Sequence, residues 1–243
     1  MIAWLRPAPE EEWFPDTARA LSEPNGLLAA GGDLSANRLL SAYRRGIFPW
    51  YEEGQPILWW SPDPRAVLLP TELHISRRLG RRLRGDDFTV SVDQDFTRVV
   101  AGCADRGPGI GTWITPAMAR AYIRLHRLGH AHSLEVWQGA SLAGGIYGVA
   151  LGRVFFAESM FSAANDASKT ALACLSSLLQ RHRFRIIDCQ LSSAHLASLG
   201  CREMPRREFV EHIRVWCNEP AAPMRWAQAP IAPRDLLAGG NGD

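Results

Sequence analysis

Long apolar runs are missing from this 243-residue chain, so nothing in it reads as a membrane-spanning helix. Cysteine is sparse as well. The five cysteines are an odd number with no C-x-x-C pair, which fits a reducing cytoplasm better than a disulfide framework. Neither sign of charge dominates: 27 Lys and Arg against 25 Asp and Glu leave a net charge of +2. Affinity for nucleic acid therefore has to come from a local patch, not from the total. The opening Met1 to Pro7 has no basic end followed by an apolar core, and no secretory leader is expected. There are no repeats and no low-complexity tract.

Several catalytic signatures are absent too. No P-loop appears, which excludes nucleotide hydrolysis by that route, and no G-x-S-x-G elbow marks a serine hydrolase. His126, His130 and His132 come without an H-E-x-x-H pattern or a cysteine pair, and Gly129 breaks the helix between the first two. No metal site is expected. Cys189 has no histidine beside it in sequence and reads as an inert thiol, not a nucleophile.

What is present is an ordinary globular composition, 47% apolar and 21% charged, with nine tryptophans. Residues 1–65 read as a small first domain. It holds a helix from Ala36 to Arg45 with Ser35 as N-cap, a strand over Ile57 to Trp60, and the rigid turn Ser61-Pro62-Asp63-Pro64. Residues 66–218 read as one α/β unit, and 219–243 as a Pro/Ala/Gly-rich tail with little regular structure. Between them lies one dense basic run. On a helix, Arg77, Arg81 and Arg84 share a face, with Arg78 and Arg82 beside it. Such a run is either a solvated helix face or a nucleic-acid patch.

The rest is organised around Leu142 to Gly200. Val154-Phe155-Phe156 runs into Glu158, and Ile186-Ile187 runs into Asp188 and Gln190, with a helix between. Polar groups inside apolar strands are costly to bury without partners, so they usually face a cleft. A strand–helix–strand unit makes these strands parallel and brings their ends to one side. Alternation places Asp188 and Gln190 on one face and Cys189 on the other. The helix carries an apolar stripe at Ala171, Leu172, Leu175, Leu178 and Leu179, whose simplest meaning is core packing.

Strand, helices, three antiparallel strands, helix and strand is the order of the GNAT acetyltransferase fold. Ordinary members cradle the coenzyme A pyrophosphate at a Gly-rich helix N-terminus. Here that place, Phe161 to Lys169, has no glycine and carries Asp166, which argues against coenzyme A as acyl donor.

At these residues the chain closely resembles the leucyl/phenylalanyl-tRNA–protein transferases. The resemblance rests on Leu28 to Leu34, Gly46-Ile47-Phe48-Pro49-Trp50-Tyr51, Leu58 to Arg65 and Gly111-Thr112-Trp113-Ile114-Thr115. It continues through Phe156 to Ser162, Ala167 to Thr170, Ile187-Asp188-Cys189-Gln190 and His195 to Gly200, and it covers about residues 2 to 216. It implies a small N-terminal domain plus a GNAT-like domain with a mixed sheet. The implied enzyme moves Leu or Phe, less well Met, from aminoacyl-tRNA to an N-terminal Arg or Lys of a protein and so creates an N-degron. Asp188 and Gln190 match the catalytic pair, with Glu158 at the same pocket. Trp50 and Trp113 match the aromatic residues that hold the terminal adenosine. The amino-acid pocket would involve Phe155, Met160, Leu172, Leu175, Leu179 and Ile187. The arginines at 77, 78, 81, 82 and 84 become the expected tRNA contacts. A cytoplasmic monomer without cofactor is expected.

The chemistry agrees. An aminoacyl ester is already activated, so neither ATP nor a covalent enzyme intermediate is needed. An α-amine with a pKa near 8 is partly neutral at pH 7 and can attack. The enzyme must orient it and route one proton. Gln190 is read as holding the amine and Asp188 as fixing Gln190. The proton goes to Asp188 or to the tRNA's own ribose hydroxyl. Two other classes stay open on sequence: an acyltransferase with another donor, and a non-catalytic RNA-binding protein.

Overall fold

Two sheets divide the chain at Pro64. The structure is a computed structural model that describes residues 2–8, 13–107, 111–220, 226 and 228–238. The first sheet contains β1 (Ala3–Leu5) and β2 (Leu27–Gly31), followed by helix α1 (Ala36–Arg44), then β3 (Phe48–Pro49) and β4 (Leu58–Trp60). Its strand order is β1-β2-β4-β3, with β1 parallel to β2. Ser35 caps α1 by accepting from the Arg38 N–H at 3.3 Å, as its position before the apolar stripe suggests.

The second sheet opens with β5 (Arg65–Leu68). Then come α2 (Arg77–Arg84), β6 (Thr89–Val92), α3 (Phe96–Ala104), α4 (Pro116–Arg127), β7 (Ala131–Gln138), β8 (Ser141–Leu151) and β9 (Val154–Ser162). Helix α5 (Ala167–Arg181) and β10 (Ile186–Gln190) follow, then α6 (Ala194–Ser198), β11 (Arg202–Met204), α7 (Arg206–Trp216), β12 (Gln228–Ile231) and α8 (Pro233–Ala238). Its order is β11-β5-β10-β9-β8-β7-β6-β12. Strands β9 and β10 are parallel across α5, and their neighbours are antiparallel. From β6 to β10 this is the mixed α/β order that the sequence suggests: strand, two helices, three antiparallel strands, helix and strand. Among the described residues no helix is long and apolar enough to cross a membrane.

Apolar residues on both faces of the second sheet build two clusters. One joins the first sheet to α1, α3, α4 and α7 through Trp59, Tyr43, Tyr122, Tyr147 and Phe209. The other packs α2 and α5 on the opposite face, with Leu79, Leu83, Leu175 and Phe155 inside. Gly148 is required by close approach: a Cβ there would lie 2.2 Å from the Phe156 carbonyl oxygen.

The tail departs from the expectation of little regular structure. Strand β12 pairs antiparallel with β6, and Trp226 stacks on His132 at 3.8 Å. Leu236 of α8 is buried in the α2/α5 cluster. A few well-placed apolar residues suffice to order a segment whose average composition looks like a loop.

Candidate active site

The parallel ladder between β9 and β10 is recorded as far as Phe156 and Asp188. Both strands carry a bulge beside this point. In β9, Tyr147 pairs with Ser159 and Gly148 with Ala157, which leaves Glu158 as the extra residue. In β10, Asp188 pairs with Val67 and Gln190 with Ala66, which leaves Cys189 over. Bulges re-aim side chains and occur often beside active sites. Here they aim Glu158, Cys189 and Gln190 into one cavity of about 260 Å³, whose other walls include Phe48, Trp50, Arg106 and Trp113.

Simple alternation therefore fails at Gln190. Its φ is +58°, and its partner Ala66 faces away from the side of Val67, the partner of Asp188. Asp188 and Gln190 do not share a face, and Cys189 lines the cavity instead of turning from it. Asp188 is wholly buried. Its Oδ1 accepts from Arg65 Nε at 2.7 Å and its Oδ2 from Arg65 Nη2 at 2.7 Å, a bidentate pair. Oδ1 also accepts from the Gln190 backbone N–H at 3.0 Å. Asp188 thus fixes Gln190 through its backbone. The amide Nε2 of Gln190 is buried and has no partner among the described residues.

Glu158 sits at the other side of the cavity end. The Tyr122 hydroxyl donates to its Oε2, and Tyr122 in turn shares a 2.7 Å hydrogen bond with Tyr43. Oε1 is buried and unpaired among the described residues. Burial pushes the carboxyl up from 4.5 to about 7; the hydrogen bonds from Tyr122 and Tyr43 oppose the rise, and the Asp188 charge adds to it. Burial also holds both tyrosines well above their usual range, so they remain donors. Arg65, Tyr122 and Tyr43 were not picked out from sequence. Each meets its carboxylate across a large chain separation, and only the polar end of an apolar strand hints that partners must exist.

Trp50 is exposed and Trp113 half-buried, and both wall the cavity. They also line a wider cavity of about 1020 Å³ together with Tyr51, Trp60 and Thr115. The six apolar residues expected to form the amino-acid pocket lie together, but as core. Phe155, Leu172, Leu175, Leu179 and Ile187 are at most 2% exposed, and half-buried Met160 packs against them. None lines the described cavities. Cys189 is the link, since it lines the smaller cavity and packs on this cluster. Its thiol is raised chiefly by interaction with the Cys201 thiol and then by burial, which keeps it protonated.

The basic run is a helix. Leu79 and Leu83 are buried, while Arg77, Arg78, Arg81 and Arg84 are exposed. Arg78 pairs with Asp166 at 3.0 Å, and Arg82 pairs with Asp87 at 2.6 Å while lying over the Phe88 ring. Arg77, Arg81 and Arg84 have no ion-pair partner among the described residues. Asp166, also 3.5 Å from Lys169, occupies the N-terminus of α5, where a pyrophosphate would have to bind. Away from the cavities, Asp93, His126 and His132 converge, as sequence spacing did not suggest. Each imidazole Nδ1 already has a protein partner: Asp93 at 2.7 Å for His132 and the Ala131 carbonyl at 2.8 Å for His126. His130 lies outside this group.

The pattern of the family described as leucyl/phenylalanyl-tRNA protein transferase matches residues 67–214, and that of its N-terminal domain matches 32–63. The chain belongs to this family. A transferase of that name from Aromatoleum aromaticum is 57% identical over 228 residues, covering 93% of this chain and 95% of its own. Another, from Azoarcus, is 53% identical over 236 residues, 97% of this chain and 99% of its own. The protein is accordingly an aminoacyltransferase, and the non-catalytic alternative falls away. A GCN5-related N-acetyltransferase from Kribbella flavida is more distant. It is 10% identical, with a TM-score of 0.36, over 71% of this chain and 61% of that one.

Proposed function

We propose that this enzyme moves leucine or phenylalanine, and methionine less well, from aminoacyl-tRNA to an N-terminal Arg or Lys of an acceptor protein. The new N-terminus then serves as an N-degron for protein degradation. One observation carries the reading: Glu158 Oε1 and Gln190 Nε2 are buried, unpaired among the described residues, and end a cavity walled by Trp50 and Trp113. Buried polar atoms without partners are expensive, and a bound substrate would supply the missing hydrogen bonds.

In this reading the terminal adenosine rests on Trp50 and Trp113. The amino-acid side chain enters the cluster of Phe155, Leu172, Leu175, Leu179 and Ile187 through its half-buried members Met160 and Cys189. Gln190 orients the ester and the attacking amine. The amine nitrogen bonds to the ester carbon, the carbon–oxygen bond to ribose breaks, and the ribose oxygen leaves as a hydroxyl. Glu158, poised at about 7, takes the amine proton and returns it to the leaving oxygen. Asp188 is a positioning residue, because Arg65 and the Gln190 N–H occupy its oxygens. The ester is already activated, so no cofactor enters. The arginines of α2 hold tRNA phosphates. The enzyme acts as a monomer in the cytoplasm, a reducing compartment that suits five cysteines without a C-x-x-C pair.

The test is incubation with leucyl-tRNA and a peptide bearing N-terminal Arg, followed by mass measurement. A gain of one leucyl residue is expected, and none with an N-acetylated peptide. An unchanged mass for the free peptide would overturn the reading.

A further inference from the structure

Helix α2 is not the only basic face. Helix α4 carries Arg120, Arg124 and Arg127, spaced four and three apart, and therefore on one side of the helix. All three are exposed. Among the described residues none makes an ion pair or a side-chain hydrogen bond, and α4 contains no Asp or Glu. Exposed arginines that neutralise no acidic group among the described residues are available to an external anion.

Their position gives that anion an identity. The small cavity at Gln190 shares Trp50, Arg106 and Trp113 with the wide one. The wide cavity reaches Thr115 and Pro116, the N-cap and first residue of α4. It shares Tyr51 with a third cavity of about 390 Å³, lined by Leu34, Ile57, Ala117, Arg120 and Arg124. The cavities share walls in succession and together mark a groove that leads from the reaction centre towards Arg120 and Arg124 of α4. Aromatic walls interleaved with arginines suit single-stranded nucleic acid, whose bases stack while its phosphates meet cations. At 1.5 Å per residue, Arg120 to Arg127 spans about 10 Å. That length is enough to meet about two successive phosphates of an extended strand, in keeping with the charge-neutralising role of arginines on nucleic-acid backbones. Glu52 and Glu53 also line the wide cavity and would repel phosphate, which keeps the backbone on the side of Arg106 and α4.

We propose that the α4 stripe is a second tRNA contact surface, which receives the acceptor-end phosphates as the 3′ strand runs through the groove to the reaction centre. This rests on the proposed aminoacyl-tRNA donor.

The experiment compares the wild type with Arg120→Ala/Arg124→Ala, measuring tRNA affinity against salt and transfer from two donors, leucyl-tRNA and leucyl-adenosine. Binding of tRNA should weaken about tenfold at low salt, and the slope of log affinity against log salt should shrink by roughly 1 to 2. Transfer from leucyl-tRNA at sub-saturating donor should fall in step. Transfer from leucyl-adenosine, which ends before α4, should stay within twofold. An unchanged salt slope overturns the proposal. So does equal loss with both donors, which would mean a disturbed cavity, or a raised KM for the acceptor with intact tRNA binding, which would mean that a protein docks there. If the wild type transfers no leucine at all, the proposed function falls, while the tRNA-binding slope still judges the stripe.

Discussion

Glu158→Gln should separate the proton chemistry of the site from its packing. The carboxyl is raised from 4.5 to about 7, chiefly by burial. Between those values the folded chain holds a proton that the unfolded chain has released. Stability therefore falls as pH rises from about 4.5 to about 7 and stays reduced above that. A rise from 4.5 to about 7 corresponds to about 3.5 kcal/mol. Glutamine has no such proton, so the variant lacks this decline. Urea unfolding of both proteins at pH 5 and pH 8 reads it directly. The loss from pH 5 to pH 8 should be greater in the wild type by about 2 to 3 kcal/mol. Transfer gives a second reading. The wild-type rate should climb through pH 7, whereas the slow variant should keep only the step near 8 that belongs to the substrate amine. Parallel stability curves would refute the raised carboxyl, and an unaltered rate profile would refute its role as proton carrier.

Asp188→Ala leaves the buried Arg65 guanidinium without its partner and should cost about 3–5 kcal/mol, read as a lower denaturation midpoint; an unchanged midpoint would show that the pair is not formed. Gln190→Ala removes a side-chain nitrogen that has no partner among the described residues, so stability should move by less than about 1 kcal/mol while the transfer rate falls about a hundredfold or more. Arg77→Ala/Arg81→Ala should weaken all tRNAs alike and reduce the salt slope by about 2, and retention of the full slope would return α2 to a solvated face. Leu175→Phe adds volume to a residue 2% exposed, so it should destabilise by about 1–3 kcal/mol and slow phenylalanyl transfer more than leucyl transfer. Equal slowing would take Leu175 out of the amino-acid pocket.

Much of the fold was legible because it is written in local periods. The apolar stripe of α5, the Ser35 cap, and the Gln138 to Ser141 turn between β7 and β8 each need only a few neighbouring residues. Glu158 and Asp188 were legible as polar interruptions of apolar strands. The bulges were not. A one-residue excess in β9 or β10 is decided by pairing with another strand, and the sequence of either alone still alternates. For the same reason the shared face assigned to Asp188 and Gln190 failed. Strand β12 escaped notice because its sequence, Gln228–Ile231, is short and contains Pro230, which suits an edge strand. The α4 stripe escaped for another reason: Arg120, Arg124 and Arg127 are scattered along the sequence and become a patch only on the helix.

Arg65 shows why the two halves of the protein cannot be read separately. Its guanidinium holds Asp188 with two nitrogens and donates from the third to the Gly46 carbonyl at 3.0 Å. It lies between the rings of Phe48 and Phe209, 4.8 Å from each centroid. Gly46 and Phe48 lead directly to Trp50, and Asp188 fixes the backbone turn at Gln190. One fully buried side chain therefore sets the distance between the aromatic wall contributed by the first sheet and the polar end contributed by the second. Burying that ion pair brings little net stability, because desolvation offsets most of the attraction. What it supplies is geometry: three donors fixed in one rigid plane tie Asp188 to the Gly46 carbonyl. A lysine at this position would keep the charge and lose the fork, and with it the registration of Trp50 against Gln190.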